Sequence, residues 1–309
     1  MRLVNYRWRD TNRLGAEVGG WIVDLVRACR QAAHKGEIAL PSSTIELFRG
    51  AKGAWQTVEQ AYNYVLELMG TDPSVWVSND FSRSAEEVEF LPPVLSPGKI
   101  LGVGMNYMHP RRPDSKPEYP VLFLKPGISM TGHQQPIKIP PVTQAVKIEG
   151  ELAVVIGERG KHLSRDEALT YVAGYTIAND VTASDLEKRT SQWATGKILD
   201  TFTPVGPYLV TVDEVDNPNN LRIKTTLNER VVQDANTIEM IFNVAELVSY
   251  ISTITTLEPG DLILTGSPKR NAEVPVDEIF IHPGDHIAIE IENLGVLANF
   301  VIEETDSSN

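Results

Sequence analysis

The 309-residue sequence holds a single cysteine, Cys29. That excludes an intrachain disulfide and a cysteine-built metal site, and it fits a reducing cytoplasm. No run approaches the roughly 20 apolar residues that span a bilayer. The start, Met1-Arg2-Leu3-Val4-Asn5-Tyr6-Arg7-Trp8, lacks the apolar stretch of a signal peptide. The expectation is a soluble, cytoplasmic protein with no membrane partner. Positive charge is also short: the formal net charge is −13. Nucleic acid is a poor partner for such a surface, because binding phosphates requires a basic one. An anionic small substrate is not excluded, since one bound metal ion reverses the local field. The six histidines include no zincin pair, and there is no Gly-x-Ser-x-Gly elbow. Gly102-Val103-Gly104 follows a strand-like run, but Tyr107 stands where a dinucleotide fingerprint needs its third glycine. A nicotinamide cofactor is therefore rejected.

What is present is mostly strand-forming sequence. Residues 1–26 read as a β-meander, followed by helical stretches near 24–35 and 54–69. Leu91-Pro92-Pro93-Val94-Leu95-Ser96-Pro97-Gly98 is a stiff joint. It divides the chain into an N-terminal domain, 1–95, and a larger domain, 96–304, with a polar tail at 305–309. Beyond the joint, β-rich runs dominate, interrupted by a short helix capped by Ser164 and a longer one from Val244 to Ile254. Pro259-Gly260-Asp261 and Pro283-Gly284-Asp285 have the order of type II turns, each launching a strand. Many strands joined by turns, with few helices, indicate an α+β, mainly β, fold.

The chemistry concentrates in a few places. Glu149 and Glu151 precede the buried-strand run Leu152-Ala153-Val154-Val155-Ile156, and Asp180 ends a second strand-like run. In a strand, residues i and i+2 share a face with Cα atoms about 6.6 Å apart. Two carboxylates so placed repel each other, and a bound cation, a shared proton or solvent exposure must offset that. Three carboxylates from two strands suit Mg²⁺, which keeps open positions for substrate oxygens. His109 enters a proline-rich loop after Asn106-Tyr107-Met108 and is a candidate general base. Lys197 lies in Gly196-Lys197, and the turn Thr265-Gly266-Ser267-Pro268 offers hydroxyls and amides to a carboxylate.

Taken together, these words resemble the fumarylacetoacetate hydrolase family from Lys99 to about Val301. The matching stretches are Gly102-Val103-Gly104-Met105-Asn106-Tyr107, Phe123-Leu124-Lys125-Pro126, Glu149 to Gly157, Gly174 to Val181, Gly196-Lys197, Asp200-Thr201-Phe202, Val205-Gly206-Pro207 and Leu257 to Gly266. The resemblance implies a mixed β-sandwich roll with a smaller N-terminal α/β accessory domain, usually dimeric. It implies Mg²⁺ or Mn²⁺ on Glu149, Glu151 and Asp180, with Lys197 at the substrate or the developing charge. It also places Thr265, Gly266 and Tyr107 at the substrate. Members act on 2-oxo or 1,3-dicarbonyl acids, where a divalent ion holding two substrate oxygens stabilises an enolate.

The departures fall where the reaction is chosen. The family's Asn-Tyr-x-x-His-x-x-Glu supplies a water-activating dyad, but here His109 comes one place early and Arg112 lies three beyond it. Glu118 is later in the same loop. An arginine and a glutamine that usually face substrate are replaced by Ser184 and Glu187, and Lys269-Arg270 follow the Thr265 turn. Either Lys269-Arg270 or Arg111-Arg112 could restore positive charge. The leading expectation is metal-dependent hydrolysis of a C–C bond in a small 2-oxo acid or 1,3-diketone. Isomerisation, decarboxylation or tautomerisation is the alternative, because those need no activated water. A non-catalytic binding or scaffold homologue is the third reading.

Overall fold

The structure is a computed structural model that describes residues 1–32, 41, 43–50, 52–71, 81–108, 116–275 and 279–305. Its centre is the run read as a buried strand. Gly150–Ile156 is buried along its whole length, as expected of an apolar strand with both sheet faces covered. It pairs antiparallel with Val172–Asn179 on one side and Leu262–Leu264 on the other. Among the described residues these belong to a twelve-stranded mixed sheet. Strands Thr203–Thr211 and Arg2–Trp8 continue it on one flank, and Ile100–Gly104 and Val121–Lys125 on the other. A second, five-stranded sheet runs in the order Arg230–Asn236, Arg222–Leu227, His286–Ile291, Gly295–Glu303 and Pro136–Ile139. The fold is α+β and mainly β.

Strand periodicity separates two cores. Leu152, Val154 and Ile156 pack in one cluster with Ile223, Ile289 and Leu297 of the five-stranded sheet and Leu247 and Ile251 of helix Val244–Ile254. Their neighbours Ala153 and Val155 point the other way, into a cluster with Leu3, Leu14, Leu47 and Val58. Each such side chain contributes about 1.5–3 kcal/mol on burial. The N-terminal segment is thus one cover of the central sheet, and its strand Arg2–Trp8 pairs directly with Thr203–Thr211 through Leu3↔Leu209. Residues 1–95 and 96–304 share a sheet and a core.

Local chemistry accounts for the helix and turn positions. Helix Val244–Ile254 has the bounds read from the sequence. Asn243 accepts from Glu246 N–H and Glu246 accepts from Asn243 N–H, a reciprocal cap, while Val244, Leu247, Val248 and Ile251 face the core. At Ser164 the expected capping is present without the α-helix. Its hydroxyl bonds the Glu167 carboxylate at 2.6 Å, but the chain forms only a tight 3-10 turn, Ala168–Tyr171, before entering strand Val172–Asn179. Gly260 takes φ +87°, the positive value its type II turn requires. Asp261 then ties the turn to the strand start by accepting from Glu258 and Lys99 amides.

His133 joins the two sheets. Ala298 N–H donates to its Nδ1 at 3.0 Å, and its ring sits edge-on to Phe90 at 4.9 Å. Burial lowers its pKa to about 4. The unfolded chain takes up this proton near pH ~6.5, the folded chain only near its depressed pKa. The contribution is therefore full above the unfolded value and lost as pH falls through the window between the two. Urea unfolding of His133→Asn is expected to lose up to about 2–3 kcal/mol of the wild type's stability difference between about pH 7 and pH 4. An unchanged acid slope would show that His133 does not titrate this way.

Candidate active site

The acidic cluster follows from the register of two strands. Gly150 pairs with Asn179 and Glu151 with Ala178. The ladder extends one step beyond the strands, where Asp180 N–H donates to the Glu149 carbonyl at 2.8 Å. Directly opposed residues share a face, as do residues two apart. Glu149, Glu151 and Asp180 therefore project together, on the face that carries Ala153 and Val155 further along. Each offers an oxygen within 4.8 Å of the others. Glu151 and Asp180 are 2% and 1% exposed, while Glu149 is half-buried. Gly150 between them has to be glycine, because a Cβ there would lie 2.4 Å from Thr225 Oγ1 of the second sheet.

Lysines neutralise two of the three acids. Lys125, at the end of strand Val121–Lys125, donates to Asp180 Oδ1 at 2.6 Å and to the Phe202 carbonyl at 2.9 Å. Lys197, on the short helix Ala194–Lys197, donates to Glu149 Oε2 at 2.8 Å and to Asp180 Oδ2, with the Phe123 ring 5.0 Å beneath its ammonium. Lys147 pairs with the other oxygen of Glu149 at 2.7 Å. Burial lowers the pKa of Lys125, against the pull of Asp180. Burial also opposes charge on Lys197, but Glu149 and Asp180 overcome it and hold the ammonium firmly charged. For Glu149, burial would raise the pKa, yet Lys197 and Lys147 bring it well down.

Glu151 differs. Burial, then the charges of Asp180 and Glu149, push its pKa well up. Gly266 N–H donates to its Oε2 at 2.7 Å, and no lysine stands within ion-pair distance among the described residues. Three convergent hard oxygens, one of them lacking a counter-charge, match the donor set of Mg²⁺ or Mn²⁺. The cluster can hold a metal ion.

The cluster opens into a cavity of about 170 Å³, walled also by Phe123, Trp193, Glu187 and Lys269. Thr265 is fully buried, its hydroxyl donating to the Leu152 carbonyl at 2.8 Å. The Gly266 amide is engaged by Glu151, so both groups of that turn have protein partners. Tyr107 is 3% exposed, and its hydroxyl has no hydrogen-bond partner among the described residues. None of Tyr107, Thr265 and Gly266 lines the cavity. His109, Arg111 and Arg112 fall outside the described residues. Glu118 is exposed.

Sequence reading missed Lys125 and Lys147. Lys147 had a signal, since it stands two before Glu149 on the same side of an extended chain. Lys125 ends an apolar strand just before a proline, which marks a buried strand end but not its partner 55 residues away.

Comparison with known proteins adds to this geometry. Residues 99–302 match the family model of the fumarylacetoacetate hydrolase C-terminal domain. A mitochondrial oxaloacetate tautomerase of Rattus norvegicus is 36% identical over 309 residues, spanning 98% of this chain and 92% of the relative. The 2-hydroxyhepta-2,4-diene-1,7-dioate isomerase of Mycobacterium marinum superposes with a TM-score of 0.72 at 32% identity, covering 99% of this chain and 100% of the other. A maleylpyruvate hydrolase of Sphingobium sp. SYK-6, in complex with manganese(II) and pyruvate, gives 0.75 at 27% identity and the same coverage.

Proposed function

Since this chain belongs to the fumarylacetoacetate hydrolase family, we propose that it is a divalent-metal-dependent tautomerase of a small 2-oxo acid of the oxaloacetate class. The observation that carries this reading is the cluster of three carboxylates within 4.8 Å, set in a small cavity beside charged lysines. Tautomerisation is favoured over C–C hydrolysis by Arg112, which stands where the family's water-activating glutamate is expected. The full-length likeness to an oxaloacetate tautomerase supports the same choice.

Glu149, Glu151 and Asp180 are the residues that would hold Mg²⁺ or Mn²⁺. When bound, the ion supplies Lewis-acid stabilisation of negative charge on substrate oxygens. The remaining work falls to the chain. Tautomerisation moves one proton between carbon and oxygen and uses no water. Lys197, kept as an ammonium by two carboxylates, provides fixed positive charge beside the developing enolate oxygen. His109 is proposed as the group that takes the carbon-bound proton and returns it to oxygen, and does the reverse in the enol-to-keto direction. Phe123 and Trp193 give the cavity its aromatic wall. The proposal includes a homodimer and a cytoplasmic location from the family resemblance and composition, while the rat relative is mitochondrial. Among the described residues no helix is long and apolar enough to cross a membrane.

The test follows the enol-to-keto conversion of oxaloacetate with Mg²⁺ or Mn²⁺ and again after chelation. The expected result is metal-dependent acceleration with unchanged substrate mass. Two acid fragments as the catalysed product would make the protein a hydrolase, and catalysed CO₂ release a decarboxylase. No acceleration with any ion would overturn the reading.

A further inference from the structure

We infer that Lys269, with the Ser267 hydroxyl beside it, binds the distal carboxylate of a linear 2-oxo dicarboxylate and so sets the substrate class of this site. The inference rests on the proposed 2-oxo acid chemistry and begins from the shape of the site. The cavity at the carboxylate cluster adjoins a second one of about 300 Å³. Lys147, Glu149, Ser267 and Lys269 line both. A linear ligand with one end at the carboxylate cluster would run past these four side chains.

Of the described cations along that path, one is uncommitted. Lys147 is paired with Glu149 at 2.7 Å, and Lys197 with Glu149 and Asp180. The Arg270 guanidinium donates to the Asn271 and Val274 carbonyls. Lys269 has no hydrogen-bond or ion-pair partner among the described residues. Lys269 lines the shared wall, where burial lowers its pKa and the negative charge of Glu149 outweighs the positive charge of Lys147. No carboxylate stands within ion-pair distance of it among the described residues, which leaves that place to a ligand carboxylate.

Ser267 is held ready beside it. The buried Gln233 receives Gly150 N–H on its oxygen and donates from Nε2 to Ser267 Oγ at 2.8 Å and to the Pro268 carbonyl at 2.6 Å. The Ser267 hydroxyl proton is left with a 3.3 Å contact to that same carbonyl. It can turn to a ligand carboxylate at little cost. Ile148, Val232 and Ile279 give the second cavity an apolar side against which a carbon chain packs.

The test is calorimetric titration of the Mn²⁺-loaded protein with 2-oxoglutarate and with 2-oxopentanoate, which has a methyl group in place of the distal carboxylate. The wild type is expected to bind 2-oxoglutarate on the order of tenfold more tightly, the worth of one charge-assisted hydrogen bond. Lys269→Met should bring the ratio close to one, and Lys269→Arg should keep most of it. Equal binding of the two acids by the wild type, or a preference unchanged in Lys269→Met, overturns the inference. So does failure of both acids to bind. The reaction is judged separately: a protein that leaves oxaloacetate tautomerisation unaccelerated yet shows the Lys269-dependent preference keeps the subsite and loses the tautomerase assignment.

Discussion

Asp180→Ala is expected to destabilise the protein by about 3–5 kcal/mol, in addition to removing a proposed metal ligand. The cost comes from what Asp180 neutralises. Lys125 and Lys197 both donate to it, and their side chains are 0% and 4% exposed. Removing the carboxylate leaves Lys125 with only carbonyl acceptors, Phe202 at 2.9 Å and Val181 at 3.5 Å. A buried ammonium without a counter-charge either loses its proton or draws in water, and both routes cost folding free energy. Lys197 keeps Glu149 and suffers less. Urea unfolding of the metal-free protein measures the effect. Lys125→Met placed in the Asp180→Ala background should recover part of the loss, since it removes the stranded charge. Wild-type stability in Asp180→Ala would mean that the Lys125–Asp180–Lys197 arrangement is not formed in solution.

Glu151→Gln should have the opposite profile: lost metal binding and lost activity at little or no cost in stability. Glutamine retains an oxygen to accept the Gly266 amide, the contact Glu151 makes at 2.7 Å. It removes the one acid of the cluster without a lysine partner among the described residues, together with its repulsion from Glu149 and Asp180. Burial and those two charges already push the Glu151 pKa well up, so a neutral amide in its place gives up little that the metal-free acid contributes. The metal-free variant is therefore expected to be as stable as the wild type or somewhat more so. With Mn²⁺ at about 100 times its dissociation constant, the wild type should gain about 2.7 kcal/mol and the variant should gain little. Activity should fall at least about 10²-fold. A Mn²⁺-induced thermal shift of wild-type size in Glu151→Gln would remove Glu151 from the metal site.

These contrasting expectations show how much of the site could be read from sequence. The shared face of Glu149 and Glu151 was legible because strand geometry is local: their parity is set by two intervening peptide bonds. Asp180 closes another strand-like run, and the family words around all three are what implied a shared metal. The lysine partners were not legible. Lys125 reaches Asp180 across 55 residues and Lys197 reaches Glu149 across 48. Local sequence marks Lys125 as a buried strand end and the family words single out Lys197, but neither signal names the carboxylate it meets. The Thr265-Gly266 turn shows the converse. Its residue types suit a carboxylate, but the fold gives its hydroxyl to Leu152 and its amide to Glu151.

By itself the sequence determined the strand-rich class, the helix Val244–Ile254, the proline-glycine turns and the family, because each rests on residue periodicity or on words of contiguous residues. Tertiary structure decided the rest. It joined the N-terminal strands to the main sheet and gave Asp180 two buried ammonium partners. Among the described residues it left Glu151 without a lysine and Lys269 uncommitted between two cavities. Those outcomes depend on which distant segments meet, and the electrostatic character of a carboxylate or an ammonium is set by that meeting: burial and the nearest opposite charge outweigh anything its neighbours in sequence contribute.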